Sequence, residues 1–213
     1  MLKKLFFPAL MLAGTTSFGQ ISFAPEVGMN MSSFTTKISG SGATLTENGQ
    51  YQPGVRAGMV MDISLGSMFA VQPALYYNLV RTKDEMSFMG LSAETKTTIH
   101  ALQLPVYFMY KSHDIGPGRI FAGIGPVFSL YLAGNTKSGS VSEDIKFGDD
   151  PDKDDMKSFD MGGSVNAGYE FSSGLFLRAY YNLGFANLAP GGDKDYSSKS
   201  NSFGISVGYF LGR

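Results

Sequence analysis

The sequence predicts an all-β protein, an eight-stranded antiparallel up-and-down transmembrane β-barrel. Three observations carry that prediction. The first is the stretch 159–188, FDMGGSVNAGYEFSSGLFLRAYYNLGFANL, which alternates with period two on both sides of Ser172-Ser173-Gly174. Met161, Val165, Ala167, Tyr169 and Phe171, then Leu175, Leu177, Ala179, Tyr181, Leu183 and Phe185, form a nearly all-apolar set. Gly162, Ser164, Asn166, Gly168, Glu170, Arg178, Tyr180, Asn182 and Gly184 form a polar or small one. Neighbouring strand residues face opposite sides, so the stretch reads as a hairpin that is greasy on one face and wet on the other. Each arm has about the ten residues that a tilted strand needs to cross a bilayer. The second observation is a charged fraction of 16%, against roughly 25% in soluble domains, in a chain with no apolar run of spanning-helix length after residue 20. The third is the alternation of short and long connections described below.

In chain order, Met1 to Gly19 has the form of a secretory signal, with Lys3 and Lys4 ahead of an apolar core from Leu5 to Ala13 and small residues flanking Phe18. Cleavage is expected after Gly19, leaving 20–213 as the mature barrel domain. The first strand, 22–35, sets Phe23, Pro25, Val27, Met29 and Met31 against Ala24, Glu26, Gly28, Asn30 and Ser32. The second, 51–65, sets Tyr51, Val55, Ala57, Met59, Met61 and Ile63 against Gln52, Gly54, Arg56, Gly58 and Asp62. The third, 68–81, sets Phe69, Val71, Leu75, Tyr77 and Leu79 against Gln72, Ala74, Tyr76 and Asn78. The fourth, 96–110, sets Leu102, Leu104, Val106, Phe108 and Tyr110 against Ala101, Gln103, Tyr107 and Met109. The fifth, 119–132, has Ile120, Ala122, Ile124, Phe128, Leu130 and Leu132 on its apolar face, while Phe121 and Val127 blur the polar one. The hairpin supplies the sixth and seventh strands. The eighth, 201–212, sets Phe203, Ile205, Val207, Tyr209 and Leu211 against Ser202, Gly204, Ser206 and Gly208.

Short turns follow strands two, four and six, and long polar loops follow strands one, three, five and seven. That is the layout of an outer-membrane barrel, with short periplasmic turns and longer external loops. An even strand count also lets the sheet close and lose its edges. The loops 143–157 and 189–200, rich in Gly, Pro, Asp, Lys and Ser, read as solvated coil facing the cell exterior. Aromatics recur near the ends of the apolar faces, among them Phe23, Tyr51, Phe69, Tyr110, Tyr169, Tyr181 and Tyr209, as interfacial girdles do. A soluble lipocalin-like carrier also alternates, but its wet face would carry many Lys and Glu, and these strands carry few.

The pieces PEVGMNMSSF, GVRAGMVMDISLG, FAVQPALYYNLV, ALQLPVYFMYK, IFAGIGPVFSLYL, FDMGGSVNAGYEF and LFLRAYYNLGFANL resemble the PorT-like outer-membrane β-barrel family common in Bacteroidetes. The resemblance covers nearly all of the mature chain. It implies an eight-stranded barrel in the outer membrane of a Gram-negative bacterium, in most members without a known activity. One member is tied to a secretion and gliding apparatus, a role the barrel motif alone does not carry over. The expected partners are outer-membrane lipid and, during assembly, the barrel-insertion machinery. Barrels of this kind usually end on an aromatic residue, and here Leu211, Gly212 and Arg213 follow Phe210.

Candidate chemistry is sparse. Glu26, Arg56, Asp62, Glu170 and Arg178 lie on the polar strand faces and are expected in the lumen. A lumen of eight strands is just wide enough to be filled by side chains, and charges removed from water must pair. Arg178 is expected to bridge some of the carboxylates and plug the barrel. His100 and His113 are the sole histidines; His100 is followed by Ala101 and Leu102 and so lacks the serine two residues on that lipid-modifying barrel enzymes often pair with a strand histidine, His113 falls in a predicted periplasmic turn, and both read as interfacial or solvated. No catalytic residue, metal site or cofactor is expected. Asp150, Asp152 and Asp154 have calcium-loop spacing, but Asp155 stands where the turn glycine belongs and Met161 where the bidentate glutamate belongs. The absence of cysteine excludes disulfides, thiolate zinc sites and a lipoprotein anchor. A net charge of -1 with no basic stripe argues against nucleic acid. The expected role is a non-enzymatic outer-membrane protein presenting four external loops for a structural, adhesive or ligand-binding purpose. The alternatives are a secretion or gliding component and a lipid-modifying enzyme.

Overall fold

A computed structural model describes residues 21–40, 43–88, 91–193 and 195–212. The signal segment and its cleavage point lie outside the described residues. The strands are β1 (Ile21–Gly40), β2 (Ala43–Asn48), β3 (Gln50–Ser64), β4 (Phe69–Phe88), β5 (Leu91–Lys111), β6 (Gly118–Ser138), β7 (Val141–Asp144), β8 (Phe159–Phe171), β9 (Leu175–Gly184) and β10 (Tyr196–Tyr209). Eight of them form an antiparallel ring in the order β1-β3-β4-β5-β6-β8-β9-β10, which closes through β10 on β1 from Glu26 opposite Gly208 to Ile38 opposite Tyr196. All eight predicted strands are present. β2 is paired along β1 and β7 along β6, both at the long-loop end.

Several strands run on at the long-loop end, for example to Phe88 in β4 and Ser138 in β6. The apolar alternation marks the part of a strand that touches lipid, whereas the hydrogen-bond ladder needs no apolar face and continues through Thr, Ser, Lys and Asn. β4 and β5 stay paired from Val80 and Ile99 out to Phe88 and Leu91. On this extension Glu94 takes ion pairs from Lys83 and Lys96, both at 2.8 Å. Loops 143–157 and 189–200 are not plain coil either, because β7 and the start of β10 are strands and parts of both loops fold inward.

The registers set the width of the barrel. Stepping across the ring from Glu170, cross-strand partners run Phe176, Gly208, Glu26, Gly58, Tyr76, Gln103 and Ser129. The path returns to β8 at Asp160, ten residues from where it left. Strand number and this stagger together fix tilt and diameter, and a barrel of this size has an interior that side chains can fill. Lumen glycines make room for the largest of them. A Cβ on Gly208 would lie 2.2 Å from the Phe176 ring, on Gly168 2.4 Å from Phe121, and on Gly58 2.6 Å from Tyr76.

Outside, the apolar set forms a belt that no protein covers: Val27, Met29, Val55, Leu75, Phe108, Ile124, Leu177 and Ile205 all point outward. Aromatic pairs border it, Phe69 stacked on Phe108 and tilted against Tyr110 toward the short turns, and Tyr51 tilted against Phe203 toward the long loops. Inside, the polar set is buried. This is the reverse of a soluble carrier, so the lipocalin-like alternative fails on the placement of both faces. The short turn between β8 and β9 depends on Gly174, whose φ of 89° suits a residue without a Cβ.

The belt makes a direct prediction. Ile205, 67% exposed within the belt, should cost about 2 to 4 kcal/mol when replaced by Arg. Leu45→Arg on β2, beyond the belt, should stay within about 0.5 kcal/mol. Urea unfolding in lipid vesicles checks both, and equal costs at the two sites would contradict the belt.

Candidate functional site

The lumen is built in three layers. The layer nearest the short turns is a charged and aromatic plug. Alternation on β1, β3, β8 and β9 turns Glu26, Arg56, Asp62, Glu170 and Arg178 inward, where each is at most 5% exposed. Glu26 is the hub. It accepts from Arg56 Nη2 at 2.9 Å, Tyr76 Oη at 2.9 Å and Ser206 Oγ at 2.6 Å, with Arg178 Nη1 at 3.7 Å. The Arg56 guanidinium is held between the Tyr76 and Tyr180 rings, 3.7 and 3.8 Å from their centroids. Such a cation over aromatic faces gains most when water is excluded.

Arg178 does not bridge the carboxylates as a group. It touches Glu26 and donates to Gln72 at 2.8 Å, and Gln72 donates to Asp62 at 2.6 Å. The bridge between Asp62 and Glu170 is Lys111, 2.9 Å from both Asp62 oxygens and 3.2 Å from Glu170. Arg119 then pairs with Glu170 at 2.7 Å. One network thus runs Arg56, Glu26, Arg178, Gln72, Asp62, Lys111, Glu170, Arg119. Lys111 and Arg119 did not emerge from the sequence because both sit at strand ends beside the β5–β6 turn. Their signal was parity, since Lys111 continues the inward series of Tyr107 and Met109. Phe121, Phe176 and Phe210 pack beneath, with Phe176 and Phe210 ring centroids 5.0 Å apart. The aromatic near the chain end is therefore used inside the lumen, while Tyr209 faces outward.

The middle layer is polar, and Asp160 is its one carboxylate among the described residues. Ser164 accompanies Asn182 and Tyr107, Asn182 donates to Ser202 at 3.1 Å, and Gln103 donates to Ser129 at 3.3 Å. Asn182, Ser202, Gln103 and Ser129, with Asn30, Asn78 and Asp160, line a chamber of about 40 Å³.

The outer layer is an apolar lid. Ile99, Ala101, Tyr131 and Leu188 are buried together, and Phe34, Val80, Ile145, Phe147 and Met156 pack against them. Ile145, Phe147 and Met156 belong to the acidic loop, and their hydrophobicity pulls it over the mouth. Tyr131 stacks on Phe147 with ring centroids 6.3 Å apart. Asn187 pins the second loop, accepting from Ala189 N–H at 3.1 Å and Ser198 N–H at 3.0 Å and donating to the Tyr196 carbonyl at 2.9 Å. The acidic side chains close their own turn: Asp154 accepts from Asp150 N–H at 3.0 Å and Asp155 from Lys146 N–H at 2.9 Å. Among the described residues no three His, Cys, Asp or Glu are grouped to hold a metal. His100 lies on β5 bonded to the Tyr77 hydroxyl, and His113 is exposed in the β5–β6 turn.

A family model described as "Outer membrane protein beta-barrel domain" matches residues 14–189. No curated protein matches the chain. Among solved structures, the outer membrane protein OprG from Pseudomonas aeruginosa is similar at a TM-score of 0.52 and 12% identity, over 89% of this chain and 95% of that one. Neisserial surface protein A gives 0.46 and 13%, over 90% and 99%. The outer membrane protease OmpT from Escherichia coli gives 0.46 and 12%, over 93% and 99%. At these identities the likeness concerns the fold.

Because two buried arginines share Glu26, Glu26→Gln leaves uncompensated positive charge in the plug. The expected loss is about 3 to 5 kcal/mol in urea unfolding of the detergent-refolded barrel. A loss below about 1 kcal/mol would mean that water reaches the plug.

Proposed function

This chain belongs to the outer membrane protein beta-barrel domain family, and we propose that it is a non-enzymatic outer-membrane protein of a Gram-negative bacterium whose long-loop end does its work. The short turns face the periplasm. The lidded loops and the sheet extensions on β1, β4, β5 and β6 face the exterior and serve a structural, adhesive or ligand-binding role. The observation that carries this reading is the filled lumen. Among the described residues a charged plug at one end and an apolar lid at the other leave no channel for solutes, so function falls to what the barrel displays.

The alternative is a component of a secretion or gliding apparatus, the role of one member of the PorT-like family that LQLPVYFMYK, AGIGPVFSLYL and YYNLGFANL resemble, which the motif by itself does not carry over. In that case the barrel would co-purify with periplasmic machine proteins after in-cell crosslinking, and the display reading requires no such partner. The display reading predicts that the chain, reconstituted in planar bilayers, gives no stable ohmic steps, and that deleting its gene leaves outer-membrane lipid composition unchanged. Steady porin-sized conductance would overturn the filled lumen, and a lost lipid species would point to an enzyme.

A further inference from the structure

The chamber between plug and lid has a chemistry the barrel itself does not satisfy. Asn30, Ser32, Asn78 and Asp160 line it, each at most 5% exposed. Asn30 Oδ1, Ser32 Oγ, Asn78 Nδ2 and Asp160 Oδ1 have no hydrogen-bond partner in the protein. The orientation of Asn30 is fixed by the Val55 carbonyl, which accepts from its Nδ2 at 3.4 Å and would repel an oxygen placed there, so Oδ1 is the atom left facing the chamber. Buried polar atoms are almost always satisfied, and a group of them around one small cavity marks a bound species.

Charge says what kind. In the plug, Glu26, Asp62 and Glu170 are matched by Arg56, Arg178 and Lys111, and Arg119 reaches toward water with its side chain 26% exposed. Asp160 stands ten residues along β8 from Glu170, roughly 33 Å of strand. The Ser200 hydroxyl donates to its Oδ2, and the Tyr131 hydroxyl and the Ala186 and Met161 N–H groups also reach the carboxylate, but all of these are neutral donors and among the described residues no ion pair includes it. A buried carboxylate without a countercharge must either take up a proton or gain a cation, and the unpartnered oxygens grouped around the same chamber point to the cation.

We propose that the chamber is a binding site for one monovalent alkali cation, Na⁺ or K⁺, held by Asp160 Oδ1, Asn30 Oδ1 and Ser32 Oγ with one or two retained waters. The oxygens suit a hard ion, and a single carboxylate matches a single charge where Ca²⁺ sites use several. The volume of about 40 Å³ holds an ion and a little water, since one water needs about 10 to 15 Å³. The Asn78 N–H donates to a water of the ion. Access is from the long-loop end, where a wider cleft shares Gly184, Ser200 and Asn201 with the chamber.

The test uses the full mature chain refolded in detergent. Its thermal unfolding midpoint is compared in NaCl, KCl and choline chloride at equal ionic strength, alongside equilibrium dialysis with radioactive sodium. The expected result is a saturable rise of roughly 2 to 4 °C in sodium or potassium over choline, with close to one ion bound per barrel. Both effects should vanish in Asp160→Asn. Ser32→Ala, which keeps the carboxylate, should weaken ion affinity several-fold and guards against a folding defect in the first variant. Identical midpoints in the three salts with no bound sodium, or a salt effect that survives in both variants, would overturn the site and leave the chamber to water alone.

Discussion

The constraint on which the rest of this molecule depends is that lipid offers no hydrogen bonds. Every backbone N–H and C=O inside the bilayer must find a partner in the protein, and a sheet can meet that demand only by closing on itself. Here closure is made by β10 on β1, and the ten-residue stagger accumulated around the ring holds the barrel narrow. A narrow barrel has a small interior, and a small interior is filled. The apolar exterior, the glycines opposite lumen aromatics and the paired charges all follow from that sequence of necessities.

The lumen network shows how a dry interior tolerates eight polar groups in one chain. Glu26 is shared by two arginines, a tyrosine and a serine, and Lys111 joins two carboxylates that would otherwise repel. Replacing such a network with apolar side chains is often no less stable. The network runs from β1 and β3 through β9, β4 and β5 to β8 and β6, so it also ties together strands that are distant in sequence. The lid acts at the other end by simple hydrophobic burial. Between them, the Asn, Ser and Gln side chains of the middle layer surround a chamber that Asp160 also lines, away from the ion pairs of the plug.

The fold was legible because the property that defines it, period-two alternation against lipid, is written residue by residue. Pairs such as Leu177 and Arg178, or Ile205 and Ser206, announce their opposite faces without any knowledge of neighbours. Strand ends were less legible, since beyond the belt the ladder persists through residues such as Thr97 and Thr136 whose pattern carries no lipid signal. The inward direction of the five lumen charges could be read from parity, but their partners could not. Which cation meets which carboxylate depends on the stagger between strands, a property of the ring and not of any one strand. Lys111 was hidden by lying next to a turn, and the lid by three apolar residues scattered through an acidic loop. Asp160, at the outer end of β8, has no local signature at all; its isolation appears only when the whole lumen is assembled.

The central claim is that this chain is a barrel turned apolar side out, and heat-modifiable gel mobility tests it most directly. The mature chain should fold only when detergent or lipid is present, giving an unboiled band displaced from the boiled one, as a closed barrel that resists unfolding by the gel detergent does. A folded, soluble monomer obtained in plain buffer, with no displaced band, would contradict the assignment of the two faces and everything built on it.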